Sequence, residues 1–276
     1  MNLIVLGADI ETPVLKTLAK VTGAQAIEQI NLGAFRIVDA TPDGRVTTIC
    51  HEAQIDFAYV PAGRRLTDFG LFVTDMDSTL INIECIDEIA ALHGLKAEVA
   101  AITEAAMRGE LDFKGSLTRR VALLAGLEES ALAQVYQQRL ELNPGAERLI
   151  AGLKDAGIHT VLVSGGFTYF TDRLKDRLGF DEAWSNELEV TDGRLTGRVV
   201  GDIVDANAKA CHLRQARQVL GLEAAQVMAI GDGANDIPMI AAAGFGIAYR
   251  PKPVLRAVAD CCLDHSPLDG ILSLFA

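Results

Sequence analysis

The chain has 276 residues, half of them hydrophobic, and a formal net charge of −12. This supports a sizeable core in one large or two smaller domains. The acidic balance argues against nucleic acid or an anionic membrane as partner, since both need a basic face, but not against small anions held by a local Lys/Arg cluster. Aromatics are only 5%, so the core is mostly Leu, Val, Ile and Ala, which suits an α/β protein. The five cysteines, Cys50, Cys85, Cys211, Cys261 and Cys262, are odd in number and lack C-x-x-C spacing, which predicts reduced thiols in a cytoplasmic protein. No signal peptide is expected at the N-terminus, and no apolar run reaches membrane-spanning length.

In chain order, Leu3–Leu6 reads as a strand, and Pro13–Val21 as a helix with Thr12 as its N-cap. Strands are expected at Phe35–Val38, at Val46–Cys50 after the turn Pro42-Asp43-Gly44, and at Phe57–Val60. This first unit, residues 1–66, is a small α+β domain without a cluster of catalytic residue types. A regulatory or dimerising role is expected for it, which leaves a homodimer open. Pro61–Arg65 reads as the linker.

A second unit, residues 67–276, opens on the strand Leu71–Thr74. That strand runs into Asp75-Met76-Asp77-Ser78-Thr79. Residues 84–142 then read as an all-helical insert, closed by Asn143-Pro144-Gly145. A helix from Ala146 ends at Gly157. The strand His159–Val163 leads into Ser164-Gly165-Gly166 and a helix over Tyr169–Leu178. A hairpin turns at Asp192-Gly193. A helix covers Asn207–Leu220, and the strand Val227–Ile230 ends at Gly231-Asp232-Gly233-Ala234-Asn235-Asp236. A further helix, Ile237–Ala243, and a strand, Phe245–Tyr249, follow. The alternation from residue 71 onward predicts a doubly wound, mostly parallel α/β sheet, with the helical insert placed as a cap over the strand ends.

Taken singly, each polar strand end has a plain explanation. Asp and Ser cap turns, Ser-Gly-Gly makes a strand-to-helix turn, and Lys209 could be one more solvated lysine. Together they form an inventory: carboxylates at Asp75, Asp77, Asp232 and Asp236, a hydroxyl with glycine amides at Ser164–Gly166, and one ammonium. In a parallel sheet these ends converge on one edge. Phosphoryl transfer needs such a set, because its catalysis is mostly positioning and charge neutralisation.

These motifs resemble the haloacid dehalogenase superfamily of aspartyl-phosphate phosphotransferases, and within it the phosphoserine phosphatases, from about residue 64 to the C-terminus. The match includes Glu84 after the first motif and, in the insert, Met107-Arg108, Phe113 and Leu117-Thr118-Arg119-Arg120-Val121. The resemblance implies a HAD-like Rossmannoid core and Asp75 as nucleophile. Asp77 would serve as acid and then base. Mg²⁺ would be held by the Asp75 carboxylate, the Asp77 backbone carbonyl and Asp232. Asp236 would stand one step back, orienting Lys209 or a metal-bound water. Ser164, Gly165, Lys209 and Asn235 would surround the phosphate.

The same resemblance places substrate choice in the insert. Glu84 suits the ammonium of O-phosphoserine, and Arg120 its carboxylate through a two-pronged contact. Met107 and Phe113 would form the apolar wall. The implied reaction is hydrolysis of O-phospho-L-serine to L-serine and phosphate, the last step of serine biosynthesis. Phosphohomoserine or phosphothreonine would be the nearest rival substrates. Relatives also suggest an ACT-like first domain, although residues 1–60 lack a clear ligand-binding glycine loop.

Overall fold

The computed structural model describes residues 1–276, except for the side chain of Met107, which lies outside the described residues. The N-terminal unit runs β1 (Asn2–Leu6), α1 (Thr12–Thr22), β2 (Ala26–Asn31), β3 (Ala34–Val38), α2 (Arg45–Glu52), β4 (Asp56–Val60). Its four strands are antiparallel in the order β2-β3-β1-β4, the split β-α-β arrangement of ferredoxin-like units.

Two expectations need correction here, and one strand was not expected. The stretch Val46–Cys50 is the middle of helix α2, not a strand. Val46 and Cys50, four residues apart, are buried, while Thr47 and Thr48 between them are exposed. That is a helical period, and packing decides it over the β-branched composition. Thr12 is the first residue of α1 rather than its cap. Glu11 holds the N-cap position and makes no side-chain capping bond. The edge strand β2 was not expected, because five of its six residues are exposed and it shows no apolar alternation.

The second unit begins with β5 (Leu71–Thr74), buried at every position. A continuous apolar run is what a parallel strand needs when both faces are covered. The insert follows as α3 (Cys85–Leu92), α4 (Lys96–Met107), α5 (Phe113–Ala122) and α6 (Ser130–Gln138). The core resumes with α7 (Ala146–Asp155), β6 (His159–Phe167), α8 (Thr168–Leu178) and the hairpin β7 (Glu182–Thr191) and β8 (Arg194–Val200). It finishes with α9 (Ala206–Val219), β9 (Val227–Gly231), α10 (Ile237–Ala242), β10 (Phe245–Tyr249), α11 (Pro253–Arg256), β11 (Cys261–Leu263) and α12 (Gly270–Leu274).

Strands β11-β10-β9-β5-β6-β7 are parallel neighbours in that order. The chain leaves β5 toward β6 on one side and returns as β9 on the other. The end of β5 is therefore the switch point where open α/β sheets bind ligands. The two units share one sheet of eleven strands, because β4 pairs antiparallel with β11 through Phe57 and Cys262. Asp56, 3% exposed, locks this junction. Its carboxylate accepts the backbone N–H groups of Asp264 (2.9 Å), His265 (3.1 Å) and Ser266 (2.7 Å). Apolar packing crosses the junction as well, since Ile4, Leu6, Ala58 and Val60 belong to the same buried cluster as Phe72 and Ile230.

The insert is tied to the core in two places. At its root, Ile81 bridges Leu142, the Asn82 N–H donates to Glu141 O (3.0 Å), and the Asn143 N–H donates to Leu80 O (2.9 Å). Farther out, the α5–α6 loop lies along the β7–β8 hairpin, with the Gly126 N–H donating to Leu195 O (2.8 Å) and the Glu129 N–H to Gly193 O (2.9 Å). All five cysteines are free thiols. Among the described residues, no helix is long and apolar enough to cross a membrane.

Candidate active site

Strand β5 ends and delivers Asp75 into a buried cluster. Its Oδ1 accepts the Met76 N–H at 2.7 Å and lies 2.7 Å from Lys209 Nζ. Its Oδ2 has only a long contact, 3.4 Å, with Asn235 Nδ2. Lys209 comes from the first turns of α9, which Asp205 caps by accepting the Ala208 N–H at 2.9 Å. Lys209 Nζ also donates to Asp236 Oδ1 at 2.8 Å. Asp236 is fully committed: its Oδ2 accepts the backbone N–H groups of Asp232 (3.1 Å) and Gly233 (3.2 Å).

Oxygens from Asp75, Asp232 and Asp236 lie within 4.8 Å of one another, and all three residues are buried. Burial first, and then the Asp236 carboxylate, push the Asp75 carboxyl well above its usual range, against the pull of Lys209. Burial also raises Asp232, against Lys252. Burial works to lower Lys209, but Asp236 and Asp75 outweigh it and keep the ammonium charged. Three carboxylates facing two ammonium groups leave negative charge in excess. An all-oxygen donor set with surplus negative charge fits a hard divalent cation. The Asp77 carboxylate lies outside this cluster.

Asp77 instead faces the pocket, with Oδ1 accepting the Cys85 N–H at 3.4 Å. Burial, and then the Glu84 carboxylate, push it up to about 7, where a carboxyl can both give and take a proton near neutrality. Ser78 turns the chain with φ +57° and donates from Oγ to Glu84 Oε1 at 2.9 Å. Asn143 fixes the same loop from the root of the insert. Its Nδ2 donates to the carbonyls of Thr79 (2.9 Å) and Ile81 (3.0 Å).

A cavity of ≈ 120 Å³ opens on these groups, lined by residues of the core and of the insert. Ser164 Oγ accepts the Gly166 N–H at 2.9 Å. A Cβ at Gly166 would lie 3.0 Å from Asp77 Oδ2 and 2.8 Å from the Met76 methyl, so glycine lets the β6 end lie this close to the first motif without displacing those side chains. The Phe113 ring, at the start of α5, sits against Gly165. Glu84 and Arg120 reach the cavity from α3 and α5.

The structure thus brings Asp75, Asp77, Glu84, Phe113, Arg120, Ser164, Gly165, Asp232 and Asn235 to one cavity, with Lys209 and Asp236 directly beneath it. For Met107 it gives only the backbone, at the end of α4.

Sequence reasoning missed two residues. Lys252 lines the mouth, with Nζ 3.1 Å from Asp232 Oδ2 and its own N–H donating to Asp232 O at 2.8 Å. Its position just past β10, beside β9, was the available signal. Asn143 was read only as part of a helix breaker. Nothing in the sequence marks its amide as a clamp on a loop more than sixty residues away.

Comparison with known proteins agrees with this geometry. A family model described as haloacid dehalogenase-like hydrolase matches residues 72–241, and a domain of unknown function matches residues 3–46. A phosphoserine phosphatase of Polaromonas sp. is 54% identical over 215 residues, covering 76% of this chain and 91% of that protein. The crystal structure of a probable phosphoserine phosphatase from Vibrio cholerae superposes with a TM-score of 0.88 at 38% identity, over 99% of this chain and 86% of that one. A substrate-bound phosphoserine phosphatase complex gives a TM-score of 0.70 at 40% identity, over 75% of this chain and 99% of that one. With its carboxylate–lysine cluster at the switch point of a parallel sheet, the chain belongs to the haloacid dehalogenase-like hydrolase family, in its phosphoserine phosphatase branch.

Proposed function

We infer that the protein hydrolyses O-phospho-L-serine to L-serine and phosphate through a phosphorylated Asp75, with Mg²⁺ as cofactor. The observation that supports this is one cavity lined by both sets of groups the reaction needs. On this reading Asp75, Ser164 and Asn235, with Lys209 against Asp75, hold the phosphate, and Glu84 and Arg120 hold the amino-acid groups.

Asp75 Oδ1 is held by two donors, so the less engaged Oδ2 is the attacking atom. It forms the new bond to phosphorus as the bond from phosphorus to the serine oxygen breaks, and Asp77 gives that oxygen its proton. Asp77 then takes a proton from water, which attacks phosphorus and breaks the bond to Asp75. Ser164 Oγ, the Gly165 N–H and Lys209 hold the phosphoryl oxygens, with Asn235 beside them. Glu84 receives the ammonium and Arg120 the carboxylate. Phe113 closes the apolar side.

The residues that would hold Mg²⁺ are Asp75, Asp232 and the Asp77 carbonyl, with Asp236 fixing Lys209 behind them. When bound, the ion neutralises the surplus carboxylate charge and polarises the phosphoryl group. We further assign residues 1–66 as an ACT-like regulatory or dimerising domain and residues 67–276 as the phosphatase domain. A cytoplasmic location and a homodimeric state belong to the same reading.

Phosphate release over a panel of phosphoserine, phosphothreonine, phosphohomoserine and sugar phosphates, with Mg²⁺ and with a chelator, tests this. Phosphoserine should give the highest kcat/KM, and chelation should remove turnover. A sugar phosphate preferred over every phosphoamino acid would sink the substrate assignment. Full turnover in chelator would sink the cofactor.

A further inference from the structure

Two polar atoms beside the cavity have no partner. Arg120 Nε and Asp87 Oδ1 are both buried, and neither makes a hydrogen bond. They are complementary, one a donor and the other an acceptor. Such orphans are rare in folded proteins and point to a bond made in another state of the site. Both elements border the cavity: Ile86, next to Asp87 on α3, and Leu117, one turn before Arg120 on α5, line it, as does Arg120 itself. Asp87 also feels the charge of Arg120. Burial raises the Asp87 carboxyl, and the Arg120 guanidinium is the largest influence lowering it.

The placement along α3 adds to this. Glu84 holds the N-cap position but makes no capping bond with its side chain, which points to Ser78 and the cavity instead. Asp87 lies three residues later in the first turn, on the same face of the helix. That turn favours a carboxylate, because the helix N-terminus carries partial positive charge.

We propose that Asp87 is the positioning residue for Arg120. It accepts the Nε–H when a ligand carboxylate engages the terminal nitrogens, so that one turn of α3 governs both charged groups of an α-amino acid. Glu84 takes the ammonium directly, and Asp87 acts through the guanidinium. An arginine fork that must meet a carboxylate along two parallel bonds needs its plane fixed, and a bond at Nε fixes it without occupying the fork. This inference rests on the assignment of Arg120 to the substrate carboxylate.

The test compares Asp87→Asn, Asp87→Glu, Arg120→Ala and the Asp87→Asn/Arg120→Ala double variant. Each is measured on O-phospho-L-serine and on p-nitrophenyl phosphate, which has no carboxylate and reports whether the site is folded. Asp87→Asn should lower the phosphoserine-to-nitrophenyl ratio of kcat/KM about tenfold, mostly through KM, as expected when a charge-assisted hydrogen bond is reduced to a neutral one on a single amide oxygen. Asp87→Glu should recover part of the ratio. In the Arg120→Ala background the Asp87 change should have no further effect on it. An unchanged ratio in Asp87→Asn, with Arg120→Ala still selective, would overturn the role of Asp87 alone. Additive effects in the double variant would also overturn it. Equal losses on both substrates in Arg120→Ala would overturn the assignment of Arg120 itself, and with it this inference.

Discussion

At the scale of single residues, the first motif divides its work between two carboxylates of the same kind. Asp75 is buried among charges, and Asp77 sits beside Glu84 at the cavity wall. Asp75→Asn keeps the shape but removes the proposed nucleophile. Phosphate release should fall by at least ~10³-fold, with the melting temperature close to that of the parent. Turnover within about tenfold of the parent would rule out Asp75 as the attacking group. The motif residues were legible in the sequence because each strand end is written with unusual side chains: Asp-x-Asp, Ser-Gly-Gly, and Gly-Asp-Gly with Asn and Asp. Lys252 and Asn143 were not, because their roles depend on where distant strands and loops come to lie. A lysine between two prolines carries no local mark of the aspartate that it faces.

At the scale of elements, the central parallel strands β5, β6, β9 and β10 were the easiest to read, since strands covered on both faces announce themselves as apolar runs. Helix α2 was misread because Val, Thr and Ile favour strands in general, while here only every fourth position is buried. Edge strand β2 was missed because none of its residues is buried, so no alternation is written into it. The contact between β4 and β11 could not be read at all. It hangs on one aspartate at the head of a strand, which receives three backbone N–H groups from a segment some two hundred residues later. Asp56→Ala strands those donors in a buried site. It should cost about 3 kcal/mol of stability in denaturant unfolding, because each unpaired buried N–H costs roughly 1–3 kcal/mol less what water recovers. A change below about 0.5 kcal/mol would mean that the junction does not depend on this carboxylate.

At the scale of the whole molecule, the shared sheet and the common apolar cluster join the N-terminal unit to the catalytic core more firmly than a flexible linker would. The two should therefore unfold together. The single tryptophan, Trp184, lies on β7 in the second unit, whereas far-UV circular dichroism reports on both units. Fluorescence and dichroism should give coincident denaturant curves. An early dichroism transition without a fluorescence change would show that residues 1–66 melt alone.

The double attachment of the helical insert, at its root and along the hairpin, has a consequence for substrate length. In the proposed reading the phosphate is held by groups at the ends of the sheet strands, and the amino-acid groups by Glu84 and Arg120 of the insert. With the insert fastened at both places, the gap between Asp75 and the Glu84–Arg120 pair becomes a gauge set by the backbone. A ligand one methylene too long should seat its two ends less well. A branch that leaves the spacing unchanged disturbs only the wall. Phosphohomoserine should therefore be rejected more strongly than phosphothreonine, although the step in binding energy per methylene is only ~1–3 kcal/mol.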